Sequence, residues 1–144
     1  VVAAAQDADA VAVVGLDTTD SEELGLGFAS SVSVPMYGVV GEAYDCNADG
    51  SGVAIFGASS DAVTLRVSEA DHCDFENETD WLCTSFCNVT NNTYSDADIY
   101  KAIVGLSTAA ITGAAGLGDG VTEWWLAGGH YYDQLLSDGS IEVL

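Results

Sequence analysis

The run AVAVVGL at residues 10–16 is the sequence feature that most constrains the fold of this chain. A strand that is apolar at every position, rather than at alternate positions, is typical of a parallel sheet that helices cover on both faces. Residues 31–40 and 63–68 predict two further strands, and Pro35 is expected at the beginning of the earlier one, where no hydrogen-bond donor is required. Strands that alternate with helices and loops predict an α/β fold with a mainly parallel sheet.

The segments between and after these strands predict the remaining elements. Residues 54–58 are expected to form a short helix and residues 71–95 an irregular loop. A long helix is predicted from Asp96, with Asp96 or Asp98 as its cap, and residues 121–136 are predicted to form another helix. Three strands make a small sheet with an unfinished edge, which would expose unpaired backbone groups.

The charge of the chain excludes several classes of partner. Twenty-three acidic residues against only Arg66 and Lys101 give a formal net charge of −21. Nucleic acid is not an expected partner, because phosphate binding needs clustered basic residues, and an anionic membrane surface is disfavoured for the same reason. No apolar stretch is long enough to predict a membrane span. A saline habitat, in which salt screens the mutual repulsion of the acidic groups, is a hypothesis that follows from this charge.

The cysteines and asparagine sequons predict an oxidising, secretory environment. An even number of cysteines within a short segment favours disulfides, whereas their spacing lacks the paired C-x2-C pattern of structural zinc sites. The sequence leaves the pairing open. The disulfide candidates are Cys46, Cys73, Cys83 and Cys87, and the glycosylation candidates are Asn77, Asn88 and Asn91. We therefore expect a secreted, extracellular or secretory-lumen protein.

The candidate catalytic residues follow the predicted strands. In α/β enzymes, functional side chains collect in the loops after the carboxyl ends of the strands. Asp17 follows the first strand, Asp45 and Glu42 follow the second, and His72 follows the third. An acid that precedes a histidine in this way matches the chain order of the serine hydrolases, in which the carboxylate orients the imidazole. His130 lies in a predicted helix and is interpreted as structural.

A calcium loop is a second interpretation of the segment after the second strand. Asp45, Asn47 and Asp49, followed by glycine, match the opening of a D-x-[DN]-x-[DN]-G loop. The twelfth position would be Phe56 instead of a bidentate glutamate, and a strand precedes the loop where a helix is usual. The alternative is a turn in which Asp, Asn and Gly serve the backbone geometry.

Three segments of the chain resemble the C-terminal half of the chlorophyllase-like α/β-hydrolases, which are relatives of dienelactone hydrolases and lipases. The segments are residues 2–20, with the turn GLDTTD, residues 34–50, with CNADG, and residues 71–74, DHCD. In this family a G-H-S-x-G-G nucleophile elbow precedes the first of them, and no G-x-S-x-G turn occurs in these 144 residues. The family often has proline where Thr18 stands.

The resemblance implies both a fold and a function. Residues 1–144 would be the C-terminal portion of a single α/β-hydrolase domain, with the last three strands and their helices, and the missing N-terminal half would supply the serine. Asp17 would be the catalytic acid, with Asp45 as the alternative, and His72 the catalytic histidine. The reaction would be hydrolysis of a small-molecule or lipid-like carboxylic ester, with no cofactor, and this chain alone would be inactive. The alternative is a non-catalytic, disulfide-stabilised secreted domain that binds calcium.

Overall fold

The computed structural model describes residues 1–20, 22–76, 81–87 and 93–144, and its centre is an open four-stranded sheet. The strands follow one another in chain order across the sheet, and the three that the sequence predicts run parallel. They are β1 (Val13–Leu16), β2 (Met36–Val40), β3 (Ala62–Val67) and β4 (Ile141–Val143). This arrangement confirms the predicted α/β class with a mainly parallel sheet.

The last strand is a correction to the prediction. β4 pairs antiparallel with β3, with Ile141 opposite Val67, so the sheet has a fourth strand beyond β3 that the sequence analysis did not predict, while β1 lies at the other edge. Arg66 on β3 and Glu142 on β4 form an ion pair of 2.7 Å between these two strands. A three-residue strand carries too little periodicity to be predicted from sequence.

Helices flank the sheet in the described part of the chain. They are α1 (Val2–Gln6), α2 (Leu24–Ala29), α3 (Val53–Gly57), α4 (Trp81–Phe86), α5 (Asp96–Ala114), α6 (Gly120–Trp125) and α7 (His130–Ser137). None of them is both long enough and apolar enough to cross a membrane.

Three details of the helices differ from the sequence prediction. Residues 71–95 are not loop throughout, because α4 lies within them. The cap of α5 is Ser95, whose side chain accepts a hydrogen bond from the backbone of Asp98, and neither Asp96 nor Asp98 is the cap. The helix predicted over 121–136 is divided into α6 and α7 around Gly128, whose φ of 93° favours glycine.

Two apolar clusters cover the two faces of the sheet, which explains the continuously apolar first run. Successive residues of β2 point to opposite faces, so Val39 belongs to the cluster under α5, whereas Met36, three positions earlier, belongs to the cluster under α2 and α3. Trp125 is buried in the first cluster, and its indole N–H donates to the carbonyl of Leu106 at 2.9 Å. The sheet is therefore held between two helical layers, and its strand ends remain available for other roles.

Candidate functional site

The candidate site lies at the carboxyl ends of β1, β2 and β3. Because these strands are parallel, the loops that follow them meet at one edge of the sheet. Asp17 follows β1 directly; its φ is 38°, and its backbone N–H donates to the carbonyl of Val39 at 2.8 Å. His72 begins the 3₁₀ turn His72–Phe75, a few residues after β3. The structure thus places both predicted residues at the same edge.

Asp17 and His72 are in direct contact. Nδ1 of His72 lies 2.6 Å from Oδ2 of Asp17, although 55 positions separate the two residues. The imidazole is about one-third exposed, and among the described residues no group forms a hydrogen bond with its other nitrogen, Nε2. One ring nitrogen is therefore held by a carboxylate while the other is free to meet a reacting group.

The carboxylate of Asp17 is buried, with a residue exposure of 3%. A buried carboxylate is stable only when its oxygens accept hydrogen bonds. The backbone N–H of Gly41 donates to Oδ1 at 3.0 Å, and Nδ2 of Asn47 lies 3.1 Å from Oδ1 and 3.3 Å from Oδ2. Both donors come from the loop after β2, which lies between the two strands that carry Asp17 and His72.

Asn47 is predicted from the sequence only as a candidate calcium ligand, and its contact with the carboxylate of Asp17 was missed. Its exposure is 1%, and its Oδ1 accepts hydrogen bonds from the backbone N–H groups of Tyr44 and Gly50, both at 2.9 Å. Its Nδ2 donates to the carbonyl of Glu42 at 2.7 Å in addition to Asp17. A single Asn in an Asx-rich turn gives no signal in the sequence for a contact with a residue thirty positions away.

These contacts support the turn over the calcium loop in residues 45–50. The Oδ1 atom that would bind the cation already accepts two backbone N–H groups. Asp45 and Asp49 are exposed, and Ala48 and Asp49 have φ values of 51° and 55°, in the left-handed region that Asn, Asp and Gly tolerate best. The side-chain oxygen of Asn47 therefore serves the backbone of this turn, and calcium binding by the segment stays a prediction.

Among the described residues, the other candidate acids form no hydrogen bond or ion pair with the imidazole. Asp45 has no such interaction with His72, and the carboxylate of Glu42 lies 3.9 Å from the guanidinium of Arg66. Asp20, the second acid of the GLDTTD turn, accepts the backbone N–H groups of Gly25 and Leu26 at the beginning of α2. Of the acids weighed, only Asp17 contacts the histidine.

The turn that carries His72 is held by its own acidic residues. The side chain of Asp71 accepts the N–H of Cys73 at 2.8 Å, and Asp74 accepts the N–H of Asp71 at 2.9 Å. Burial raises the pKa of Asp74, and the negative charges of Asp71 and Asp96 raise it further, against the lowering effect of the Asp71 N–H. This local network sets the direction from which the imidazole approaches Asp17.

Two disulfides join the site loops to α4. Cys73, next to His72, is bonded to Cys83, and Cys46, next to Asn47, is bonded to Cys87. This confirms the prediction of disulfides and decides the pairing. The sulfur atoms of Cys73, Cys83 and Cys87 lie within 4.8 Å of one another, but all three are in disulfides, so they offer no thiolate to zinc.

The glycosylation candidates Asn77, Asn88 and Asn91 lie outside the described residues.

Three large apolar side chains of α4 are exposed. Cys83 and Cys87 are one helical turn apart, which directs both toward the site loops. Trp81 is 74% and Phe86 72% exposed, and Leu82 is also exposed. These three residues, the apolar face of α4, form an exposed apolar surface on the helix that the Cys73–Cys83 bond joins to the turn of His72.

Comparison with known proteins gives no function for this chain. No protein-family model, no curated protein and no solved structure matches it. The functional argument therefore depends on the geometry of the site.

Proposed function

We propose that this chain carries the acid–base part of a serine carboxylic-ester hydrolase, on a partial α/β-hydrolase fold. The observation that carries the proposal is the 2.6 Å contact between His72 and Asp17. A buried carboxylate on one nitrogen and an unbound second nitrogen are what a general base needs in order to activate a hydroxyl. The positions of the two residues after parallel strands, in the order acid then histidine, agree with this class of enzyme.

The proposed reaction follows from the different roles of the two ring nitrogens of His72. Asp17 keeps the proton on Nδ1, so that Nε2 accepts the proton of a serine hydroxyl as the serine oxygen bonds to the ester carbonyl carbon. The imidazolium, stabilised by Asp17, then gives that proton to the departing alcohol oxygen as the ester C–O bond breaks. Water hydrolyses the acyl-enzyme by the same steps. The nucleophilic serine lies outside these 144 residues, and the mechanism needs no cofactor.

The surroundings of the dyad favour an uncharged, apolar ester as the substrate. α4, which the Cys73–Cys83 bond joins to the turn of His72, carries the exposed residues Trp81, Leu82 and Phe86, and we propose that this apolar face holds the acyl or alcohol chain of the ester. A net charge of −21 repels anionic substrates and anionic lipid surfaces. A lipid-like neutral ester satisfies both conditions.

Secretion into an extracellular, saline environment is part of the same proposal. Two disulfides are typical of proteins from oxidising compartments. The excess of acidic groups is least destabilising where salt screens it.

The test is ester hydrolysis by the product of the natural gene. We expect hydrolysis of p-nitrophenyl esters and covalent labelling by a fluorophosphonate, both abolished in His72→Ala. Asp17→Asn should lower kcat by about 10⁴-fold, because it favours the wrong tautomer of the histidine. Asp45→Asn is the matched control and should leave kcat unchanged. A loss of activity in Asp45→Asn alone would assign the acid to Asp45.

The second candidate function, a non-catalytic secreted domain, is supported by the two disulfides alone. The same experiment separates the two. A gene product that contains no reactive serine and hydrolyses no ester would contradict the hydrolase and favour the binding domain.

A further inference from the structure

We infer that Asn47 is a positioning residue for the Asp17–His72 pair, and that its side chain performs two separable tasks. This inference rests on the proposed function only for its catalytic meaning, because the positioning itself is a property of the described contacts. Nδ2 holds the carboxylate of Asp17, while Oδ1 holds the turn from which Asn47 projects.

The topology of the sheet explains why such a residue is needed. Asp17 and His72 follow β1 and β3, which are not neighbours, because β2 lies between them. Adjacent strands are about 4.8 Å apart, so the two backbones are separated by roughly 10 Å at the sheet edge. The loop after β2 lies between the two strand ends, and both donors to Asp17, Gly41 and Asn47, belong to this loop.

The amide of Asn47 suits this position better than a charged side chain would. Oδ2 of Asp17 accepts from His72 and lies within 3.3 Å of Asn47, while Oδ1 accepts from both Asn47 and Gly41. Neutral donors satisfy the carboxylate without neutralising it, so the negative charge remains available to the imidazolium. A lysine or arginine here would compete with His72 for that charge.

The disulfides anchor the two sides of this arrangement to one segment, α4 and the residue that directly follows it, Cys87. Cys46 adjoins Asn47 and is bonded to Cys87, whereas Cys73 adjoins His72 and is bonded to Cys83. The bonds fix the loop that supports the acid relative to the loop that carries the histidine. Asn47 is therefore held in place by its turn and by the covalent connection through α4.

Two substitutions at position 47 separate the two tasks. Asn47→Asp keeps the acceptor oxygen for Tyr44 and Gly50, so the turn is preserved, but it removes the donor and places a second carboxylate against Asp17. Asn47→Ala removes both the donor and the acceptor. Thermal melting and circular dichroism establish that each variant is folded before it is used.

The measurement is NMR of the two histidines in the full 144-residue chain. In the wild type we expect a far-downfield Nδ1–H proton for His72, caused by its short hydrogen bond to Asp17. Asn47→Asp should move the titration curve of His72 to higher pH, because added negative charge favours the imidazolium. Asn47→Ala should remove the downfield signal, and the curve of the exposed His130 should stay unchanged in both variants.

The opposite result overturns the inference. If both folded variants keep the downfield signal and the titration curve of His72, Asn47 only builds the turn. If Asn47→Ala does not fold, Asn47→Asp decides the question, because it retains the turn. The readout requires neither serine nor ester, so a protein that passes this test but hydrolyses nothing would keep the positioning role and lose the proposed function.

Discussion

Nδ1 of His72 and Oδ2 of Asp17 are 2.6 Å apart although the two residues follow strands that do not touch. The contact exists because the intervening loop supports the carboxylate through Gly41 and Asn47. The same loop and the histidine turn are each bonded to α4 by a disulfide. The geometry of the pair is thus a property of three loops together, which makes it sensitive to changes in any of them.

Gly41 is expected to tolerate no side chain. A Cβ at this position would lie 2.6 Å from the carbonyl oxygen of Ala70 and 3.3 Å from the ring of Phe75. Gly41→Ala should therefore separate the ends of β2 and β3 and cost about 1–3 kcal/mol, measured by urea unfolding. It should also weaken the downfield signal of His72, because Gly41 donates to Asp17.

Gly57 provides the control for this substitution. A Cβ at Gly57 meets no atom within 4 Å, so Gly57→Ala should change the free energy of unfolding by less than about 0.5 kcal/mol. Equal effects of the two substitutions would contradict the close approach at Gly41.

Asp74 is expected to destabilise the protein at neutral pH. Burial raises the pKa of its carboxyl in the folded state, so the native state binds more protons than the unfolded state between about pH 4 and that raised pKa. Stability contributed by this group therefore falls as the pH rises through that window. Asp74→Asn, which can still accept the N–H of Asp71, should raise Tm by up to about 3 °C at pH 7. A Tm difference that persists at pH 3 would contradict this explanation.

Glu69 is expected to show the opposite dependence on pH. Hydrogen bonds from the side chain of Thr93, the backbone of Tyr94 and the backbone of Thr93 lower the pKa of its carboxyl. A lowered pKa contributes stability above the ordinary value of about 4.3, and this stability is lost as the pH falls through the folded-state pKa. Glu69→Gln should therefore have a lower Tm than the wild type at pH 7 and the same Tm in acid. If Glu69→Gln had a higher Tm than the wild type at pH 7, the carboxylate of Glu69 would be destabilising, contrary to this prediction.

The apolar face of α4 is expected to select for long esters if the proposed function is correct. Trp81→Ala should lower kcat/KM for a long-chain p-nitrophenyl ester about tenfold, the loss expected when one large apolar contact of about 1.4 kcal/mol is removed. The acetate ester, which is too short to reach the helix, should be unaffected. Leu117→Ala is the control, because it removes a similarly exposed apolar side chain from another part of the chain. It should leave kcat/KM unchanged for both the long-chain ester and the acetate ester.

Salt is expected to stabilise the protein. With a net charge of −21, repulsion between acidic groups opposes the folded state, and raising NaCl from 0.1 M to 1 M shortens the screening length from about 10 Å to about 3 Å. Tm should rise over this range when measured at pH 7. A Tm that does not respond to salt would contradict the link between the acidic surface and a saline habitat.

The sequence by itself determined the parallel part of the sheet and the presence of disulfides. Continuous apolar runs are a local signal, and the two covered faces of β2 show why the first run lacks alternation. The sequence also predicted that Asp17 and His72 lie at the same edge of the sheet, because Asp17 directly follows one predicted strand and His72 comes a few residues after another. Whether the pair performs ester hydrolysis stays a prediction.

Only the tertiary structure decided which distant groups meet. β4 depends on the return of the chain after α7, the pairing of the four cysteines depends on where α4 lies, and the contact of His72 with Asp17 instead of Asp45 depends on the path of the loop after β2. Asn47 is the clearest case: in sequence it belongs to an Asx-rich turn, and in space it supports a carboxylate thirty residues away. A local sequence pattern indicates which face of a helix or strand is buried. Hydrogen bonds between loops depend instead on how whole helices and strands pack together, and that packing is not encoded in any single short segment.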